Sequence, residues 1–299
     1  MSTAAQMTGP RLPWTRRFLQ LPLTRIVLGA LVLLLAAFTP EAIIHSYVAK
    51  AYRPVWPEVL SAGVALLAYR FHVRRAEKRE AAEASGARAL PEVVAGLGLG
   101  FVMVGAAIAA LAATGAYHFT RMNPWSFALV VPIGEMVFVG VLEELLFRGL
   151  LFRITERALG TWPALAISSV LFGLSHLPGS SATVLAIAVT GVAGVMLTAA
   201  YLVTRRLWLA IGIHIGWNYT LGTVWSIAVS GHPAQEGLLT GQLGGPEWLT
   251  GGAYGLEGSV VTLGVLLIAT AVLLRRAAVK GTRVLWRDAR AYAWGRGEA

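Results

Sequence analysis

The sequence predicts an all-α polytopic membrane protein with about eight transmembrane helices. Three observations carry that prediction. Of 299 residues, 56% are hydrophobic and only 13% charged, at a mean hydropathy of +0.65. A soluble domain carries about 25% charged residues, so the surplus apolar surface calls for lipid. The apolar residues gather into eight runs, each near the ~20 residues a spanning helix needs. The basic residues collect on one side of those runs.

The first run, 25–44, lacks a small-residue cleavage site and reads as a retained span, not a signal peptide. The second, 55–71, is the weakest, because it carries Pro57 and Glu58. The third and fourth are 92–117 and 127–152. Gly160-Thr161-Trp162-Pro163 follows, with Gly as a helix stop and Pro as a helix start. The fourth run and the fifth, 162–179, therefore form an antiparallel hairpin. The sixth, 182–204, holds Gly191 and Gly194, small residues that favour close helix contact in lipid. The seventh and eighth are 207–229 and 258–275. Residues 72–90 form a charged, alanine-rich loop, part helical. Residues 230–257 form the longest outer loop, rich in glycine and free of Lys and Arg. Trp225, Trp248 and Tyr254 are expected at the outer interface. With no soluble domain and no repeat, residues 1–299 read as a single membrane domain.

The charges set the orientation. Arg11, Arg16, Arg17 and Arg25 precede the first run, and six basic residues from Arg70 to Arg88 follow the second. Arg148, Arg153 and Arg157 end the fourth, and Arg205 and Arg206 the sixth. Seven more, from Arg275 to Arg296, close the chain. Only Lys50, Arg53 and Arg121 of the 25 fall on the other side, which places both termini in the cytoplasm. The net charge of +10 therefore reads as topogenic signal and contact with the lipid bilayer, not as nucleic-acid binding. The absence of cysteine excludes disulfides, thiol nucleophiles and cysteine metal sites.

Within the apolar runs sit Glu143-Glu144-Leu145-Leu146-Phe147-Arg148, Phe172-Gly173-Leu174-Ser175-His176 and His214-Ile215-Gly216-Trp217-Asn218. An ionisable side chain in hydrocarbon costs ~2.5–3.5 kcal/mol on insertion scales, so such groups point to function. Glu143 lies 17 residues before Gly160 and His176 lies 16 after it, which brings them level on paired helices. With Arg153 as the cytoplasmic boundary, Glu143 is about 15 Å inside, and His214 is about 13–14 Å inside of Arg205. These three then share one layer, an active site inside the bundle. That depth, with the short outer connection Leu177–Ser181, points to water entry from the cytoplasmic half. Glu144 and Arg148 are i,i+4 and can pair, while Glu143 turns about 100° away toward the histidines. His214 and Asn218 share a face, and Phe172 sits one turn before His176. A carboxylate beside imidazoles can act as general base toward water, with Asn218 and a histidine N–H stabilising an oxyanion. Glu143, His176 and His214 can alternatively hold a divalent metal such as zinc. No Gly-x-Ser-Gly surrounds Ser175, and the only aspartate is Asp288. His45, His72, His118 and His232 read as solvated. Glu135, eight residues before Glu143, belongs to a cavity wall or an outer mouth.

The ordered set resembles the CAAX prenyl protease and bacteriocin-processing (CPBP, Abi-type) family of glutamate-dependent intramembrane proteases, over residues 125–222. The resemblance implies that Glu143 and His176 activate a water and that His214 and Asn218 form the oxyanion site, with no cofactor required. Glu144 and Arg148 are then structural or orient Glu143. The implied function is endoproteolysis of a membrane-associated protein or peptide, in a multi-pass protein of a prokaryotic plasma membrane. The alternatives are a non-catalytic scaffold or immunity-type binding protein on the same fold, and a transporter with a Glu/His proton relay.

Overall fold

The computed structural model describes residues 21–293 except 234. Arg11, Arg16, Arg17 and Arg296 of the charge pattern lie outside the described residues. The chain is mostly helical. Helix α1 spans Pro22–Tyr47, α2 Trp56–Ala76 and α3 Ala89–Ala113. Helix α4 is composite: α-helical over Pro132–Glu144, π-helical over Leu145–Phe152 and α-helical again over Arg153–Leu159. Then come α5 (Thr161–Ser175), α6 (Val184–Thr204), α7 (Trp208–Tyr219, continued by a π turn Thr220–Val224), α8 (Val260–Val279) and α9 (Trp286–Ala293).

Four helical stretches are long and apolar enough to cross a membrane: Pro22–Tyr47, Gly86–Ala113, Val184–Thr204 and Val260–Val279. The outward faces of α1 and α8 expose Leu23, Leu31, Leu35, Leu267 and Ile268, an apolar surface suited to lipid. Pro57 and Glu58 do not interrupt α2. They occupy its first turn, where a missing N–H costs nothing and a carboxylate meets the positive helix end. Gly160, at φ 82°, makes the stop between α4 and α5 in a conformation that favours glycine.

The all-α expectation needs one correction. Strand β1 (Tyr117–Met122) pairs antiparallel with β2 (Leu239–Leu243), in the segment expected to be plain loop. The third run correspondingly ends at Ala113. Tyr254 is likewise not an interface residue: it is buried, with its hydroxyl 3.2 Å from Thr190 Oγ1.

A stripe of glycines sets the tightest helix pair. A Cβ on Gly96 of α3 would lie 2.6 Å from Ile213 N, and one on Gly100 2.5 Å from Trp217 N. From the other side, a Cβ on Gly216 would lie 2.6 Å from Leu97 O. Backbones this close leave no room for side chains, the small-residue contact typical of helices in lipid. Gly191 and Gly194 do face α5, with a Gly194 Cβ position 3.2 Å from Phe172.

Helices α2, α4 and α6 finish at one end of the bundle, the basic end. Its charges are largely paired inside the protein. Arg153 donates to Glu77 Oε2 (2.7 Å) and to the Gly149 carbonyl (2.7 Å), and Arg79 donates to Glu77 (2.9 Å) and Glu83 (2.7 Å). Tyr69 bonds Glu83 and, at 3.0 Å, the same Gly149 carbonyl. Burial works against ionising Glu77, but Arg153 and then Arg79 overcome it and hold its pKa down to about 2. Arg148 and Arg153 are both buried, so these basic residues of the fourth run are packed inside the protein.

Candidate active site

Glu143 and Glu144 are the last residues of α4 before it widens into the π-helix, a distortion that often accompanies functional sites. As neighbours they point about 100° apart. Glu144 is fully buried, whereas the Glu143 side chain keeps 25% exposure on a cavity wall. Arg148 donates to Glu144 Oε1 at 2.8 Å, to the Gly194 carbonyl at 2.8 Å and to Thr198 Oγ1 at 3.3 Å. Its guanidinium lies 4.6 Å from the Phe172 ring centroid, a buried cation–π contact. Glu144 therefore does more than pair along its own helix.

It also holds a histidine. His214 Nδ1 lies 3.1 Å from Glu144 Oε1, and its Nε2 lies 3.8 Å from Glu143 Oε2. The imidazole thus sits between the two glutamates. Helix α7 presents it there because Gly212 and Gly216 press the opposite face against α3. His214 and Asn218 are two positions, about 200°, away from those glycines and share the inward face. Both are buried and both line the cavity.

His176 is not inside a helix. Helix α5 ends at Ser175, and His176 caps it with φ −93° and ψ 0°. The fifth run was read to 179. At 15 residues α5 is about 22 Å long, too short to cross hydrocarbon alone. His176 Nδ1 lies 2.9 Å from the Phe172 carbonyl, which can only accept, so Nδ1 carries the proton and Nε2 is the free acceptor. The Phe172 and His176 rings, one turn apart, pack with centroids 5.0 Å apart and planes tilted by 53°. Ser175 Oγ donates to the same Phe172 carbonyl at 2.7 Å, which ties up its hydroxyl.

Glu143, His176, His214 and Asn218 all line one cavity of about 600 Å³, together with Phe172, while Glu144 and Arg148 lie behind its wall. Its lining shows where along the bundle it lies. The lining comes from the ends of the helices remote from the basic end and from the loops at 178–179, 229–232 and 257. Glu143 is 11 residues from the Pro132 start of α4 but 16 from its Leu159 finish. The placement differs from the helix-counted depth because α5 ends at Ser175, four residues before the apolar run does, and Arg153 is buried in ion pairs.

Sequence reasoning gave no role to one residue at this cavity, Glu257, and placed two others only loosely. His232, read as solvated, is exposed at its lip, and Glu135 also lines it. Glu257, given no role, accepts from Trp217 Nε1 at 3.0 Å and from Ser230 Oγ at 2.9 Å. It ties the outer loop to the residue beside Asn218. The only available signal was an isolated carboxylate in a glycine-rich loop. His72, also read as solvated, has a buried, unpartnered Nε2.

The donor set Glu143, His176 and His214 suits zinc chemically. Among the described residues, however, the one trio whose ligand atoms lie within 4.8 Å of one another is Glu41, His45 and Glu58, on α1 and α2. The cavity residues do not converge to that distance.

Residues 123–220 match the family model described as Type II CAAX prenyl endopeptidase Rce1-like. No curated protein and no solved structure matches the chain. The matched segment carries all three motifs and ends two residues past Asn218, which supports the resemblance read from Glu143 to Asn218: over residues 123–220 the chain is similar to that family.

Proposed function

We propose that the protein is an intramembrane endopeptidase that hydrolyses a peptide bond in a membrane-associated protein or peptide. One observation carries this reading: Glu143 Oε2 is buried without a hydrogen-bond partner, on a cavity shared with His176, His214 and Asn218. A buried carboxylate oxygen left unsatisfied calls for a ligand, and a water is the smallest that fits.

In the proposed reaction Glu143 takes a proton from that water as its oxygen attacks the scissile carbonyl carbon. His176 assists through the lone pair on Nε2. The tetrahedral oxyanion accepts hydrogen bonds from the Asn218 amide and from His214 Nε2 in the doubly protonated ring. Glu143 then returns the proton to the leaving nitrogen as the C–N bond breaks, giving a carboxylic acid and an amine, which exchange a proton to carboxylate and ammonium on release. Glu144 and Arg148 act through His214, fixing the ring by its Nδ1. If a divalent metal binds, Glu143, His176 and His214 would hold it, and it would polarise the carbonyl and lower the pKa of the water.

The same reading has residues 1–299 as one membrane domain with 125–222 as its protease core. Helices α1–α8 form one bundle in the membrane, with α5 reaching only part of the way across, and both termini are cytoplasmic in a prokaryotic plasma membrane. The test is a comparison of membrane-protein termini in cells carrying the wild type or Glu143→Gln. The reading expects new termini to vanish in the variant. Unchanged termini with a folded variant protein would favour the non-catalytic binding protein instead.

A further inference from the structure

We propose that the cavity is entered from the extracytoplasmic face, so that the substrate is a membrane-anchored polypeptide whose scissile segment lies on the outer side. This rests on the proteolytic reading and on the charge-derived orientation, and it replaces the cytoplasmic entry expected from helix counting.

The cavity has a definite polarity along the bundle. Helices α1, α3, α5 and α7 run away from the basic end, and α2, α4, α6 and α8 run toward it. On the first set, cavity residues sit in the later part of the helix, as with Phe38 on α1 and His176 at the end of α5. On the second set they sit in the earlier part, as with Glu135 on α4 and Thr262 on α8. The deepest lining residues toward the basic end are Phe147, Leu197 and Ile213. Beyond them the bundle is closed. Arg148, Phe152 and Tyr69 are fully buried, and the Glu77–Arg153–Glu83 network fills the space under the π-helix.

The other end is lipped by loops. Gly179, Ser230, His232 and Glu257 line the cavity there, and Ser180 bonds the Gly231 carbonyl across the lip. Those loops belong to the side with 3 of the 25 basic residues. A hydrolytic site needs a water path, and the only lining made of loop is at this end. The side wall from α1, Leu34 and Phe38, is apolar and partly outward-facing. It suits the hydrocarbon anchor of a substrate whose polar segment reaches in from the outer surface. No Lys or Arg lines the cavity and Glu135 is exposed at the lip, which favours a neutral or basic segment.

The chain has no cysteine, so single-cysteine labelling tests this directly. Ser175→Cys and His232→Cys would be treated in intact cells, and in inside-out vesicles, with a small membrane-impermeant thiol reagent. Lys78→Cys, in the loop after α2, reports the basic end. The proposal expects the two cavity thiols to label in intact cells only, and Lys78→Cys in vesicles only. It is overturned if the cavity thiols label only in vesicles, or if Lys78→Cys labels in intact cells. It is also overturned if the cavity thiols label from neither side yet react after denaturation. None of these readouts needs activity, so failure of the protease reading would appear separately, as unchanged termini in the Glu143→Gln comparison.

Discussion

Replacing Arg148 by Met should be among the most damaging single changes in this protein, and the damage should come through Glu144. The guanidinium makes three hydrogen bonds, to Glu144, the Gly194 carbonyl and Thr198, and covers the Phe172 ring at 4.6 Å. Both charged partners are essentially without solvent access, at 1% and 0%. Removing one member of a buried pair strands the other and costs about 3–5 kcal/mol. Here Glu144 would keep only the 3.1 Å contact to His214. The double variant Arg148→Met/Glu144→Gln removes the stranded charge, so it should recover part of the loss. A double-mutant cycle should then give a coupling of about 1–3 kcal/mol. The assay is reversible denaturation in detergent micelles, followed by helical circular dichroism. If Arg148→Met lies within about 1 kcal/mol of wild type, or the double variant is additive, the pair does not brace the site. Glu143→Gln is the contrast. With no hydrogen bond to lose, it should leave stability within about 0.5 kcal/mol.

Four further outcomes are expected. Ala at Glu143 or His176 should lower the cleavage rate at least ~10²-fold, the usual scale for loss of a general base, measured on the substrate that the terminus comparison identifies. Gly216→Val should cost about 1–3 kcal/mol by forcing α7 off α3, since its Cβ position lies 2.6 Å from Leu97 O, and melting temperature in detergent reports it. Glu77 has its folded-state pKa depressed to about 2, so its stabilisation is complete above about pH 4.5 and fades as pH falls through that range toward 2. Glu77→Gln should flatten that acid limb of a melting-temperature titration. Reporter fusions should place residue 240 outside and the C-terminus inside, and a shared side would overturn the orientation.

The helical periods and the three motifs were legible because both rest on local chemistry. Apolar runs near 20 residues, Gly160 at a positive φ and the i,i+4 spacing of Glu144 and Arg148 each have one dominant physical reading. What stayed hidden depends on contacts between distant segments. Tyr117–Met122 became a strand only because Leu239–Leu243 lies alongside it, 120 residues away. The early end of α5 did have a signal, Pro178 three residues past Ser175, but Leu177 beyond His176 made the apolar run read on to 179. The pairing at the basic end stayed hidden for a related reason. A basic residue in sequence normally marks water, but Arg148 and Arg153 are neutralised inside the fold. Glu144 as the holder of His214 was also out of reach, since the partners are 70 residues apart.

The segment with the chemistry does not contain its own vessel. Residues 123–220 carry Glu143, His176, His214 and Asn218. The remaining wall is supplied by Leu34 and Phe38 from α1, by Ser230, His232 and Glu257 from the outer loop, and by Thr262 and Leu266 from α8. On the proposed reading, part of what selects a substrate is therefore contributed from outside the matched segment. Exchanging α1 or the 229–258 loop between such proteins would retune what is admitted while leaving the bond-breaking groups untouched. An excised 123–220 fragment would keep every reactive side chain and lose the enclosure in which they work.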